Sequence, residues 1–463
     1  MKILHVTLGL SPYRTGGLTK YSVDLMHEQS TNHEVYLLYP GRFTFPYSLS
    51  IQQNKSYKGI NVYELINPNL VSLLNGINRP DLFMKKVDKS VYVEFLEKLK
   101  PDVLHIHTLM GVHKELFEAA KELELKIIFT THDYFGLCPK VNLIDSCNRV
   151  CEDFNDGQKC LDCNVHALST PMIHVMQSYT YRYLKNSKLV KSLRYIKKNQ
   201  SKKNVEIPTK NNTSSKIDHR LANQYIDLRN YYLSMLKLVD YFHFNSSVAK
   251  EQYGKYLDVE GKVISISHSD IIDNRQTYFI EDNPTKPLNI TYLGPVDQYK
   301  GFYFLKDSLK QLLENGQENW HLNVYGDFMN DLDTYDPRYF TFNGKYQYSD
   351  LHAIFSNTDV LVIPSLWKET FGFIGLEALS YGVPTLVSEN VGFKDMIEDG
   401  KTGMIFTINK NDLANKLNHL IENRTILKDI NANLLNINFS YSMNEHTNEI
   451  INLYKQVGVG VGS

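Results

Sequence analysis

The chain has almost no net charge: 50 lysines and arginines balance 51 aspartates and glutamates, for a formal charge of −1. That balance excludes a global nucleic-acid footprint, which needs a basic excess. No apolar run is long enough to span a bilayer, which takes about 20 residues. The opening Met1-Lys2-Ile3-Leu4-His5-Val6 has no small-residue cleavage site and runs into a glycine loop. It reads as a first buried strand rather than a signal peptide, and a cytoplasmic protein is expected. Cysteine is scarce, and all five residues fall between Cys138 and Cys163. What the chain has in quantity is length and aromatic surface. At 463 residues it is too long for one core, so two domains of roughly 200 residues are expected. Its 31 tyrosines and 22 phenylalanines suit carbohydrate contacts and ordinary core alike.

The most patterned stretch runs from Ile363 to Val387. The apolar run Asp359 to Ile363 ends at Pro364 and reads as a buried parallel strand. A loop follows, Ser365 to Gly372, then a helix from Phe373 to Leu379 that Gly382 and Pro384 stop. Pro384 to Val387 reads as the next strand. The unit carries one carboxylate in the loop, Glu369, and one early in the helix, Glu377. Ligands of open α/β sheets bind at the carboxyl ends of strands. A carboxylate there accepts two hydrogen bonds from a vicinal diol, as in sugar and ribose recognition. The amides of Phe371 and Gly372 stand at a helix start, where orphan N–H groups favour negative charge. Two solvated glutamates on a helix are the plain alternative.

Pro364-Ser365, then Glu369, Phe371-Gly372, Glu377-Ala378 and Gly382-Val383-Pro384 resembles the signature of retaining nucleotide-sugar glycosyltransferases of family four. The seven residues between the glutamates match that family's paired-glutamate motif. The resemblance implies the GT-B fold, two Rossmann-like domains with parallel sheets facing a cleft. It implies retaining transfer from a nucleotide diphosphate sugar, with a UDP-sugar the expected donor. The receiving hydroxyl would belong to a glycan, lipid-linked or glycoprotein acceptor in surface polysaccharide or glycoconjugate synthesis. Glu377 would bind the ribose diol, and Glu369, Thr370, Phe371 and Gly372 the sugar. In the family the leaving phosphate takes the acceptor's proton, so no protein nucleophile and no catalytic cofactor is expected.

In the first half, Lys2 to Leu8 reads as a strand and Gly9 to Thr19 as a loop carrying Gly16-Gly17, with a helix beginning near Lys20. A glycine pair lets backbone approach a phosphate or sugar closely, although many tight turns carry one. By resemblance this loop lines the cleft, with Arg14 and Lys20 flanking it. His33 to Leu38, Pro101 to His107 and Lys126 to Thr130 read as strands, with a helix from Lys114 to Leu123 between the last two. Alternating β and α elements argue for a doubly wound parallel sheet. His132 follows a strand, where ligand contacts gather; a histidine capping a sheet edge is the bland reading. The resemblance places a histidine here beside the reacting sugar. His107 is a second candidate.

The cysteines allow several readings. Cys147 and Cys151 flank three residues, Cys160 and Cys163 two, in a polar loop. In a cytoplasmic chain that pattern reads as metal ligation rather than disulfides. Cys147, Cys151, Cys160 and Cys163 would make a closed, structural zinc site. Reduced free thiols and an iron–sulfur cluster are the alternatives. Some members of the resembling family carry a similar stretch.

From Tyr179 to Arg229 the chain turns basic: lysines and arginines from Arg182 to Lys203 recur every three or four residues among Tyr, Leu and Ile. A basic amphipathic helix fits, either docked on an anionic membrane at its inner face or solvated on the first domain. Asp273 to Pro287 is polar and reads as a linker. The domains are therefore expected at 1–275, with the cysteine loop at 138–163 and the insertion at 179–229, and at 286–440. Residues 441–463 should form a helix, Asn444 to Gln456, crossing back to the first domain, then a tail.

In the second half, Leu288 to Leu293 opens a strand leading to Lys300-Gly301 and a helix, Phe302 to Leu313. A lysine at a loop-to-helix junction is a good diphosphate partner. The resembling family carries an arginine directly after the first glycine, where this chain has Pro295 after Gly294. That departure removes an expected cation, so a catalytically silent subunit that binds sugar or a partner glycosyltransferase is the alternative reading. His132, Glu369 and Lys300 form the expected catalytic set. Gly16, Gly17, Lys300, Glu369, Thr370, Phe371, Gly372 and Glu377 form the donor-binding set.

Overall fold

The computed structural model describes residues 1–72, 76–185, 187, 219–277, 286–327 and 335–459. Two parallel sheets organise them. The first holds β1 (Lys2–Val6), β2 (Glu34–Pro40), β3 (Ser50–Gln53), β4 (Asn61–Ile66), β5 (Val103–Ile106), β6 (Lys126–Thr130), β7 (Tyr241–Phe244) and β8 (Gly261–Val263). Their order is β3-β4-β2-β1-β5-β6-β7-β8, and only the edge pair β3–β4 is antiparallel. The second holds β9 (Leu288–Leu293), β10 (Trp320–Tyr325), β11 (Phe340–Gly344), β12 (Val360–Ile363), β13 (Thr385–Ser388) and β14 (Met404–Phe406). Its order is β11-β10-β9-β12-β13-β14, with every pair parallel.

The central strands read as unbroken apolar runs because helices cover both their faces. All four residues of β12, Val-Leu-Val-Ile, are buried. The first sheet departs from this rule: His5, His105 and His243 occupy wholly buried strand positions. They share one face, since side chains on a strand alternate. His5 lies opposite His105 in the β1–β5 register, and Thr130 opposite His243 in β6–β7.

Two helices cover that face. One, Gly17–Gln29, starts three residues before Lys20, with Gly16 as its cap at φ 114°. The other, Met443–Gln456, opens on a capping box between Ser442 and Glu445. It lies across the first domain, where Tyr21 and His446 meet at 2.9 Å. A long helix, His219–Leu236, falls partly in the stretch read as a basic insertion. It buries Tyr225, Leu228, Tyr232 and Met235, an apolar face overshadowed in sequence by the preceding lysines. Of the insertion itself, Tyr179–Leu184 is a short helix. Its residues 188–218 lie outside the described residues, as do 278–285 of the linker. No helix among the described residues is long and apolar enough to cross a membrane.

Candidate active site in the interdomain cleft

The site in the second domain is built on one close backbone approach. Gly301 ends the loop after β9 with φ +79°, and a Cβ there would stand 1.7 Å from the Pro364 carbonyl oxygen at the end of β12. Only glycine allows both features, and the approach brings Lys300 onto the Ser365–Gly372 loop. Lys300 Nζ lies 2.9 Å from Glu369 Oε1 and 5.0 Å from the centre of the Trp367 ring. Ser365 Oγ donates to Glu369 Oε2 at 2.6 Å, and the Trp367 indole N–H at 3.3 Å. Burial pushes the Glu369 carboxyl up, but Lys300, Ser365 and Trp367 outweigh it and hold the group below its ordinary value. The result is a nearly buried, ionised carboxylate with a cation beside it.

Gly372 caps the next helix, Phe373–Tyr381, at φ 99°, and no side chain caps that helix start. A Cβ on Gly372 would meet Val391 Cγ1 at 2.7 Å. Glu377, one turn on, approaches His268 Nε2 at 3.5 Å and keeps 12% of its side chain exposed.

The first domain meets this loop directly. Thr370 Oγ1 donates to the His132 carbonyl at 3.0 Å. Gly17 faces Phe373, whose ring carbons would lie 3.3 Å from a Cβ at that position. Gly16 has open space beside it. Ser247 donates through its backbone amide and its hydroxyl to Asp395, both at 2.5 Å. The fold therefore gathers Gly16, Gly17, His132, Lys300, Glu369, Thr370, Gly372 and Glu377 along one cleft between the sheets' carboxyl ends.

Some expected residues take other roles. Lys20 does not face the cleft as a free cation. It pairs with Asp24 at 3.0 Å and Asp270 at 2.8 Å, and it donates to Ser269. Burial lowers its pKa, but hydrogen bonds to Asp270 and Asp24 raise it on balance. His107 is wholly enclosed behind His132, its Nδ1 3.3 Å from His132 Nε2. Pro295 uses its carbonyl to accept from the Tyr292 hydroxyl at 2.8 Å.

The cysteines are free thiols. Burial, then Cys138, raises the Cys160 pKa to about 12 and that of Cys163 to about 11; Cys151 is raised by the same two causes in the same order. Cys160 is buried and Cys138, Cys151 and Cys163 are half-buried, while Cys147 is exposed. Among the described residues, the group of three ligand atoms within 4.8 Å of one another is not there but at His5, His105 and His107.

Asp133 is a residue that sequence reasoning missed. Burial raises its pKa to about 7, against the lowering effect of the Phe135 amide, which donates to it at 2.8 Å. The folded chain therefore holds a proton on Asp133 where the unfolded chain has lost it. Stability falls as pH rises from about 4 to 7 through this group. The advantage of Asp133→Asn over the native chain should grow by about 1 kcal/mol between pH 6 and 8, measured by denaturant melts. An advantage that is constant with pH would refute the assignment.

Residues 273–434 match the family model of glycosyl transferases group 1. They carry Lys300, Glu369, Glu377 and the whole second sheet. This part of the chain is similar to the group 1 glycosyltransferases. A 41.2 kDa protein from the cps region of Klebsiella pneumoniae is 31% identical over 140 residues, 30% of this chain and 37% of that protein. Sulfoquinovosyl transferase of Arabidopsis thaliana is 32% identical over 149 residues, 32% of this chain and 28% of the other. The capsular polysaccharide biosynthesis glycosyltransferase CapM of Staphylococcus aureus is 29% identical over 175 residues, 35% and 44% of the two chains. The chain spans less than half the length of these curated relatives.

Similarity of fold extends over nearly the whole chain. Sucrose-phosphate synthase of Thermosynechococcus elongatus superposes with a TM-score of 0.55 at 12% identity, covering 98% of both chains. Anabaena HepE in complex with UDP and glucose superposes with a TM-score of 0.52 at 14% identity, covering 98% of this chain and 99% of that one. The matched segment is thus the second half of a GT-B fold.

Proposed function

We propose that the chain is a retaining glycosyltransferase that moves a sugar from a nucleotide diphosphate sugar to a hydroxyl acceptor. The observation that carries this reading is the half-buried Lys300–Glu369 pair at 2.9 Å, tied through Thr370 to the His132 backbone across the cleft. A lysine held beside a carboxylate is poised to exchange part of that pairing for a diphosphate. Its ammonium then neutralises charge that grows on the leaving group. Glu369, relieved of part of its cation, accepts hydrogen bonds from sugar hydroxyls. Glu377 binds the ribose diol, and the uncapped start of the Phe373–Tyr381 helix offers amides to the phosphates.

A UDP-sugar is the donor favoured by the UDP and glucose bound in the Anabaena neighbour. Polysaccharide or glycoconjugate synthesis is the favoured setting, since the Staphylococcus relative belongs to capsular polysaccharide biosynthesis. On the acceptor side, a cavity lined by Tyr13, Arg14, Gln177 and Lys185 opens beside the first loop. The basic stretch 179–203 would bring a lipid-linked acceptor within reach by docking on an anionic membrane.

The test is a screen with UDP-, GDP-, ADP- and dTDP-glucose by thermal shift and hydrolysis, on the native chain and Glu377→Ala. One nucleotide should raise the melting temperature by mass action. Its sugar should be slowly hydrolysed, and both effects should be lost in the variant. No shift with any donor would favour the second reading, a silent GT-B subunit, for which Pro295 in place of the usual arginine is the specific support. A structural zinc on the cysteine loop is a separate proposal. Metal analysis of tag-free protein should find about one zinc per chain; none would end that idea.

A further inference from the structure

The buried histidines behind His132 form one continuous hydrogen-bonded chain, and its direction is readable from one end. Burial depresses the pKa of every ring in it: His5 and His243 to about 4, His132 to about 3, and His105 and His107 well below the ordinary value. Each ring is therefore neutral at pH 7 and carries a single N–H.

At one end, His243 Nε2 lies 2.8 Å from the Ile264 carbonyl oxygen, which only accepts. The His243 proton is therefore on Nε2, and its Nδ1 accepts from the Thr130 hydroxyl at 2.9 Å. Thr130, having donated, accepts from His105 Nε2 at 2.7 Å. His105 Nδ1 then accepts from the Tyr454 hydroxyl at 2.7 Å. The Tyr454 oxygen accepts from the Gln29 amide at 3.3 Å. The Gln29 carbonyl oxygen accepts from His5 Nε2 at 2.8 Å. His5 Nδ1 accepts from His107 Nε2 at 2.9 Å. His107 Nδ1 accepts from His132 Nε2 at 3.3 Å.

Each link fixes the next, and all six nitrogens of His5, His105 and His107 are used. That full use favours a proton-ordered chain over a metal among these three rings.

We propose that this chain fixes His132 as the Nε2–H tautomer, so that it offers the cleft an unprotonated Nδ1. His132 then accepts a hydrogen bond from a sugar or acceptor hydroxyl and donates none to a phosphate oxygen. His107, His5 and Gln29 are positioning residues that act through it. The functional half of this inference rests on the cleft being a sugar-transfer site; the tautomer does not.

The test labels histidine with ¹⁵N and reads ring-nitrogen shifts and long-range couplings at pH 7.5. The His132 signals are assigned by their loss in His132→Gln. The native chain should show Nε2–H on His132. His107→Phe should let His132 mix tautomers and lower hydrolysis at least ten-fold, using whichever of UDP-, GDP-, ADP- or dTDP-glucose the chain cleaves. His107→Gln, which keeps a donor and an acceptor, should restore most of both. Nδ1–H on His132 in the native chain would overturn the proposal, as would a metal bound by His5, His105 and His107. The native spectrum decides even where a variant fails to fold. Failure of the sugar-transfer reading shows separately, as no hydrolysis of any of the four donors by the native chain, whereas undiminished hydrolysis in His132→Gln would overturn the role given to His132.

Discussion

Lowering the pH from 7.5 to 5 should unfold the N-terminal half of this chain. His5, His105, His107, His132, His243 and His446 are all held neutral by burial, their pKa values pushed below the ordinary 6.5. In the unfolded chain each takes up a proton near pH 6.5, so the stability that neutrality confers is present above that pH and lost below it. At pH 5 the cost is about 2 kcal/mol for each ring, or roughly 12 kcal/mol for the six. Asp133 works in the opposite direction, since its proton is held up to about pH 7, and it returns about 2 kcal/mol on the same descent. The balance is comparable with the whole stability of a typical protein, about 5–15 kcal/mol. Circular dichroism melts at half-unit steps should show the melting temperature collapsing between pH 6 and 5. An unchanged melting temperature across that range would mean that the rings are not buried neutral.

Replacing Lys300 by alanine should cost both stability and activity, and the two losses can be separated. Glu369 keeps only 13% of its side chain exposed and has Lys300 as its cation. Deleting one partner of a fully buried pair costs about 3–5 kcal/mol, and the partial exposure of Lys300 brings the expected loss to about 2–3 kcal/mol. The diphosphate would also lose its nearest cation, which is worth about 10²–10³ in turnover. The double variant Lys300→Met with Glu369→Gln removes both charges and should recover most of the stability while leaving hydrolysis depressed. If the single variant melts with the native chain and turns over normally, Lys300 is not the residue that neutralises the leaving group.

Much of the second domain is legible in the sequence. Asp359 to Ile363 is apolar because β12 is covered on both faces, and Gly372, Gly382 and Pro384 mark the two ends of the helix after it. Glu369 and Lys300 are identified by their place after strands. Their contact cannot be read: they are 69 residues apart, and they touch because Gly301 lets the chain press against Pro364. The cysteine loop shows the same limit. Spacing selects Cys147, yet the fold leaves it exposed while it buries Cys160. β3 is a half-exposed edge strand without alternation strong enough to mark it.

The first domain divides along the same line. The sequence by itself determined the central strands and the glycine loop after the first of them, because apolar period and glycine placement are local facts. Only the tertiary structure decided what stands behind His132. The histidines of β1, β5 and β7 look like stray polar residues in apolar runs until strand register aligns them. The helices Gly17–Gln29 and Met443–Gln456, more than 400 residues apart in sequence, supply Gln29 and Tyr454 to close the chain. A buried polar group persists only when partnered, and these partners come from elements that meet through folding alone.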